Sequence, residues 1–283
     1  MNSKRILNTI VNNGVIILLM LLVGLIFAIP FLWLFLGGLR PQVDIFRYLS
    51  PFQWHTLFPK IWTIQNYITA IEDGFGRNLL NSTFIVAVQV PLSLLIDSMA
   101  AYALSWLPMP WRKGVFAFLM ALLVIPVMSI MVPMYLVVLE LGIQNTYWAM
   151  IIPWLAHVFG IFMLRQFMLD LPVELADAAV VDGASPFQIY WRVMIPNIKP
   201  ALVTVGLIYF MWAWNSFYWP LIAIQDKKLQ VIQVAVASYM NPDTTDWGVL
   251  FATATMATIP VVMLFLVFQR YYIQGIARSG IKG

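Results

Sequence analysis

The sequence predicts an all-α membrane protein, with six transmembrane helices and a cytoplasmic helix–turn–helix hairpin between spans four and five. Three observations carry this. Of 283 residues, 62% are hydrophobic and only 10% charged, whereas a soluble domain carries about 25% charged residues. The mean hydropathy is +0.85. A folded core of this size cannot hide so much apolar surface, so lipid is the solvent for much of the chain. Finally, six apolar stretches are each long enough to cross roughly 30 Å of hydrocarbon as helix. One acidic, alanine-rich interruption, ELADAAVVDGASPF at 174–187, separates the fourth from the fifth.

Residues 1–13, with Lys4 and Arg5, precede a first span at 14–39. That run is too long for the apolar part of a signal peptide, and AIPFLWLF is too bulky for a small-residue cleavage site, so it reads as a retained helix. Segment 40–78 is a long loop with Pro, Trp, His, Asn and both charge signs. A five-helix core then covers 79–272, with spans at 79–106, 114–138, 146–168, 201–224 and 248–272. Pro126, Pro133 and Pro153 fall inside spans three and four. Each proline frees a backbone carbonyl that needs a neighbouring helix or a wet cavity, so a break there reads either as a pathway or as a packing kink. Segment 107–113 is short and basic, 139–145 carries Glu140, 225–247 carries QDKK and NPDTTDW, and 273–283 forms a tail.

Basic residues set the orientation. With both termini inside, ten face the cytoplasm: Lys4, Arg5, Arg112, Lys113, Arg165, Arg192, Lys199, Arg270, Arg278 and Lys282. Six lie outside: Arg40, Arg47, Lys60, Arg77, Lys227 and Lys228. The bias makes 40–78 extracytoplasmic and puts hairpin 169–200 in the cytoplasm. Its residues read as a folded unit. Pro172 suits a first helical position. Asp170 and Glu174 complement the helix dipole, and Glu174 and Asp177 share a face with Asp170. Leu175, Ala178 and Ala179 line another side. Gly183 suits a left-handed cap, Ser185-Pro186 starts a second short helix, and Pro196 and Pro200 end it. Small residues beside acids fit a docking surface for a partner; the same spacing also fits a plain connection.

Asp97 lies inside the second span, where an acid costs a few kcal/mol unless paired or hydrated. It reads as a group on a pathway or as a structural hydrogen-bond partner of Ser93, Ser98 or His157. His157 reads as an interhelical residue. Asn215 and Ser216, with Trp212, Trp214, Tyr218 and Trp219, form an aromatic and amide cluster on the fifth span. Aromatic faces stack on sugar rings and amides bond hydroxyls, but Trp and Tyr also anchor at membrane interfaces. Met128, Met131 and Met134 read as deformable packing. Trp54, His55, Asp226, Lys227 and Lys228 are candidate rim contacts on the external segments.

Several chemistries are excluded or left without support. There is no Cys, hence no disulfide and no thiolate metal site, and the two His residues are far apart in sequence. No dense Lys/Arg run points to nucleic acid. No GxxxxGK[ST] occurs, so ATP hydrolysis by such a loop belongs to another polypeptide. No catalytic pair or metal cluster marks an enzyme.

The interrupting stretch resembles the cytoplasmic motif of permease subunits in ABC-type importers: E-A-A, three residues, Gly, nine residues, I-x-L-P. Asp177-Ala178-Ala179, Gly183 and Val193-Met194-Ile195-Pro196 take those places. DGASPFQIYWRVMIP, AAYALSW at 100–106, LGIQNTYWAMIIP at 141–153, WNSFYWPLI at 214–222 and the ending GIARSGIKG resemble the maltose-type sugar permeases, in their smaller partner subunit. Trp106 stands where that family leads one to expect a basic residue, with Arg112 and Lys113 as substitutes. The resemblance implies an importer subunit for a sugar or sugar-like solute in a bacterial or archaeal cytoplasmic (inner) membrane. Glycerol phosphate or a polyol is the alternative solute, and an ion-coupled carrier using Asp97 and His157 the alternative class. It implies an ATPase-docking hairpin formed by Glu174, Asp177, Ala178, Ala179, Asp182, Gly183 and Ser185. The implied partners are a second homologous permease, two ATPase subunits, an extracytoplasmic solute-binding protein and the bilayer. The chain would need no cofactor or metal, ATP and Mg being held by the ATPase, and the tail with Arg278 and Lys282 would reach the ATPases.

Overall fold

The apolar stretches fold as helices throughout, with no strand among the described residues. The computed structural model describes residues 3–240 and 245–280, with side chains over 14–240 and 245–269. Lys282 and the side chains of Lys4, Arg5, Arg270 and Arg278 lie outside the described residues. The chain divides into two units, Met1–Phe75 with Val236–Ile259 and Gly76–Ala235 with Pro260–Gly283.

In the first unit, α1 (Ser3–Gly38) exposes its side chains almost continuously from Val15 to Phe35. So apolar a surface suits lipid or another apolar helix as its neighbour. After α1 the chain turns at Arg40. This guanidinium is 2% exposed. It donates to the carbonyls of Leu36 (3.2 Å), Thr56 (3.3 Å) and Leu57 (3.4 Å), and lies over the Trp33 ring at 5.3 Å. Burial lowers its pKa and nearby Asp44 opposes that. Within α2 (Gln65–Glu72), Asn66 donates to the carbonyls of Gly38 and Arg40, both at 2.9 Å. Gln42 donates to the Thr245 carbonyl at 2.9 Å and accepts from the Gly248 N–H at 3.1 Å, holding the start of α13 (Trp247–Gly280).

The second unit is built on α3 (Phe75–Trp106), which runs unbroken past Pro91. The third and fourth apolar stretches are not straight. α4 (Arg112–Leu122) and α5 (Val127–Glu140) meet at 102°. Pro126, as N-cap of α5, has no N–H to continue α4, and it forces Ile125 away from helical backbone. Pro133 sits inside α5 without ending it. α6 (Tyr147–Ile151) passes through a 3₁₀ turn at Ile152–Trp154, which contains Pro153, into α7 (Val158–Leu169) with a 44° bend.

The fifth stretch also departs from a single helix over 201–224. α11 (Lys199–Trp214) stops at Asn215, and α12 (Tyr218–Ala223) restarts after Phe217. Asn215 closes the last turn of α11 by donating to the Met211 carbonyl at 2.8 Å, and Pro220 lies early in α12 where its missing N–H costs nothing. Among the described residues, three helices are long and apolar enough to cross a membrane, and up to six spans result when each bent pair counts as one. The third such pair joins Pro186–Asn197 to Lys199–Trp214 across 79°.

Replacing Arg40 with Met removes the donors to the Leu36, Thr56 and Leu57 carbonyls. The expected cost is about 1–3 kcal/mol, read as a lower unfolding temperature of the detergent-purified protein. An unchanged melting curve contradicts the brace.

Candidate functional site

Two places in the second unit gather the sequence-predicted residues. The first is the hairpin. α8 (Val173–Val181) begins after Pro172, which is its N-cap rather than its first helical residue, and Asp170 ends α7 instead of joining α8. Asp170 therefore does not extend the acidic face. Within α8, Ala176 is buried and Ala179 half-buried, while Leu175 and Ala178 are exposed. Glu174, Asp177, Ala178, Asp182, Gly183 and Ser185 are exposed together. Gly183 turns the chain at φ +77°, a backbone that L side chains rarely adopt. Ser185 then caps α9 (Pro186–Ile189) in a reciprocal box: its Oγ accepts from the Gln188 N–H at 3.3 Å, and Gln188 Oε1 accepts from the Ser185 N–H at 2.7 Å. Pro196 does not end this helix. The chain winds on through a π turn at Tyr190–Met194 into α10 (Ile195–Asn197).

The hairpin is fixed to α3. Tyr102 Oη donates to the Pro186 carbonyl at 3.1 Å, and the Ser98 and Tyr190 hydroxyls share a hydrogen bond of 2.8 Å. Ala176, Ile189, Tyr190 and Met194 join one core with Ala101 of α3, Leu164 and Met168 of α7, and Val205 of α11. Trp106 supplies no charge; its Nε1 donates to the Met168 carbonyl at 3.1 Å, and Arg112 folds back onto the Ser105 carbonyl at 2.9 Å.

The second place is a cavity of about 620 Å³ where the breaks of the fourth and fifth stretches meet. Asn215, Ser216 and Tyr218 line it, with Trp154, His157, Trp212 and Trp219. Trp214 does not join them: it is buried and stacks on Phe210 at 5.5 Å. Asp97 sits behind the wall, fully buried. It accepts the His157 backbone N–H at 3.0 and 3.2 Å and the Tyr209 hydroxyl. Its partner is thus the backbone of His157 and not the imidazole, whose Nδ1 is 3.9 Å from Asp97 Oδ2. Ser93 instead donates to the Trp154 carbonyl at 2.9 Å. The His157 ring stacks on Tyr209 with centroids 4.4 Å apart. Gly160 makes the approach possible, because a Cβ there would collide with the Tyr209 hydroxyl and lie 2.9 Å from Asp97 Oδ2.

Sequence reasoning missed Tyr209, whose hydroxyl lies in an otherwise apolar helix and carried no spacing signal to Asp97. It also missed Asn145. At φ +55°, the Asn145 side chain accepts the N–H groups of Gln225 (2.6 Å) and Asp226 (3.3 Å) and so positions the turn at Asp226–Lys228; an Asn between Gln and Thr was the available signal. Asp226, Lys227 and Lys228 are exposed on the second unit, and Asp226 caps its turn through the Lys228 N–H at 2.8 Å. Trp54 and His55 are exposed on the first unit. No group of three or more metal-binding side chains occurs among the described residues.

A bundle of apolar and broken helices around a solute-sized cavity defines a membrane permease fold. Residues 98–278 match the family model of the binding-protein-dependent transport system inner membrane component, and the chain belongs to that family. It is a permease component of an ABC importer. It is 34% identical over 260 residues to the probable ABC transporter permease protein YurM of Bacillus subtilis, covering 90% of this chain and 84% of the relative. It is 32% identical over 269 residues to the arabinooligosaccharides transport system permease protein AraQ of Halalkalibacterium halodurans, covering 92% and 93%. In fold it is similar to the crystal structure of a bacterial ABC transporter involved in the import of the acidic polysaccharide alginate: TM-score 0.77, 23% identity, covering 96% of this chain and 99% of that one.

Substituting Gly160 with Ala overpacks the contact with Tyr209 and is expected to cost about 1–3 kcal/mol, measured by thermal unfolding. Asp97→Ala orphans the Tyr209 hydroxyl and the His157 N–H and is expected to lower stability more than Asp97→Asn, which keeps an acceptor. Equal melting temperatures for the two Asp97 variants contradict the node.

Proposed function

We propose that this chain is one of two homologous permease subunits of an importer for a sugar or sugar-like solute. Its hairpin docks on a cytosolic ATPase subunit. Two such ATPases, which hold ATP and Mg, close on nucleotide and move the docked hairpins. The spans answer by exchanging inward and outward openings, so that Asn215, Ser216 and Tyr218 line the solute path with Asp97 behind them. Both termini are cytoplasmic. The external segments with Trp54, His55, Asp226, Lys227 and Lys228 receive a solute-binding protein. The sugar class is supported by the AraQ relative, whose system carries arabinooligosaccharides.

The observation that carries the mechanism is the rigid tie between hairpin and spans. An exposed acidic knob connected by loose chain would absorb a partner's movement. Here the second hairpin helix shares hydrogen bonds with α3 and a core with α3, α7 and α11, so displacement of the knob displaces the spans. Interiors packed this way transmit strain.

Two variants test the reading in the assembled importer reconstituted in lipid. Gly183→Val strains the turn by roughly 1–2 kcal/mol and is expected to lower solute uptake at least about ten-fold while the chain still inserts. Glu174→Lys combined with Asp177→Lys reverses the knob's charge and is expected to abolish co-purification of the ATPase subunits. Normal uptake together with intact co-purification refutes the docking role.

A further inference from the structure

We propose that Asp97 and His157 form one proton-binding site behind the cavity wall, and that the bound proton ties the start of α7 to α3. The site stands on side-chain geometry; its consequence for transport rests on the importer reading above.

Two incompletely served groups face one another. Asp97 is fully buried, and among the described residues no lysine or arginine pairs with it. Its donors, the His157 backbone N–H and the Tyr209 hydroxyl, are both neutral. A buried carboxylate with no cation is costly in this medium. Beside it, His157 Nδ1 is buried and has no hydrogen-bond partner among the described residues. Asp97 Oδ2 lies 3.9 Å from it, about 1 Å longer than a charge-assisted hydrogen bond. A single proton serves both atoms. On the nitrogen it makes an imidazolium beside a carboxylate. On the oxygen it makes a carboxylic acid that donates to Nδ1. These are two microstates of one bound proton.

The surroundings suit a charged ring. His157 stacks on Tyr209 at 4.4 Å and has Trp212 at 5.7 Å and Trp154 at 6.5 Å, so aromatic faces flank it. Its side chain is 12% exposed and lines the cavity, which gives a proton access. The titratable groups that face it are Asp97 from α3 and Tyr209 from α11, with Tyr218 of α12 on the same cavity. Among the described lining residues there is no Asp, Glu, Lys or Arg. Arg165, on α7 itself, is engaged by the Leu104 carbonyl at 3.1 Å and the Phe116 ring at 4.0 Å. On α4, Arg112 is held by the Ser105 carbonyl, and Lys113 is exposed.

Without the proton, the start of α7 reaches Asp97 through a backbone N–H. With it, the side chain adds a second link to the same carboxylate and draws the ring about 1 Å off the cavity wall. Because α3 and α7 both pack on the hairpin core, this link resists the relative movement that exchanging the openings requires. Acidification therefore slows the cycle.

The chain has two His residues, so His55→Gln leaves His157 as its sole imidazole. The full importer is assembled in proteoliposomes with 15N-histidine in this subunit alone. Between about pH 8 and about pH 5.5, the expected result is uptake of one proton. It is seen as a His157 imidazolium resonance, or as a carboxylic C=O infrared band that Asp97→Asn lacks. Its midpoint moves by at least about one pH unit, a ten-fold change in proton affinity, when the partner is replaced: Asp97→Asn for the resonance, His157→Asn for the band. Over the same range, ATP turnover is expected to fall at least about five-fold with the unsubstituted chain and less than about two-fold with His157→Asn. No proton uptake in this range, or a midpoint indifferent to the partner, overturns the shared site. The spectra of the His55→Gln chain decide the first point even where His157→Asn fails to assemble. Identical pH profiles of turnover overturn the tie. ATP turnover that is the same with and without this subunit counts against the importer reading, and the spectra still decide the proton site.

Discussion

One buried carboxylate organises the second unit. Asp97 belongs to α3, but its two oxygens are spent on the backbone N–H that opens α7 and on a hydroxyl of α11. A broken helix at membrane depth has to find partners for the groups its break releases. Asp97 supplies one at the break in the fourth stretch, and in doing so fixes the angle at which α7 leaves it. The cost of keeping a carboxyl away from water is met by hydrogen bonds that also define the architecture. His157, placed by that bond, becomes a wall of the cavity, and Gly160 one turn later leaves room for Tyr209.

From this node two structures extend through the same helices. On one side lies the cavity between the breaks. On the other, α3 continues to Ser98 and Tyr102, which hold the second hairpin helix. The exposed acidic turn is thus joined through Tyr190 and Ser98 to the stretch of α3 that carries the carboxylate behind the cavity wall. The hairpin contributes small residues, buried Ala176 and half-buried Ala179, where a larger side chain would hold it away from the core.

The sequence made local features legible and long-range ones not. A glycine after a helical run, and Ser-Pro-x-Gln after it, act within a few residues, so the positive φ at Gly183 and the cap at Ser185 follow from residue types alone. Apolar length likewise announced the helices. The breaks were harder to read. Pro126 and Pro153 warned of two, but the stop at Asn215 carries no proline, and its signals, an amide able to close the last turn and a proline three residues into α12, are weak in a run so apolar. Proline is also an unreliable marker in the other direction: Pro91, Pro133 and Pro196 all sit within helical backbone. The partnership of Asp97 with Tyr209 spans 112 residues and depends on how α3, α7 and α11 pack, which no spacing rule reaches.

The bare flank of α1 has a consequence for how this protein persists outside a cell. Its side chains from Val15 to Phe35 are almost all exposed, so what ties it to the rest of the first unit is concentrated at its far end, around Gly37, Gly38 and Arg40. Whatever apolar medium covers that flank is in this sense a structural component that the chain does not encode, and a detergent has to stand in for it there.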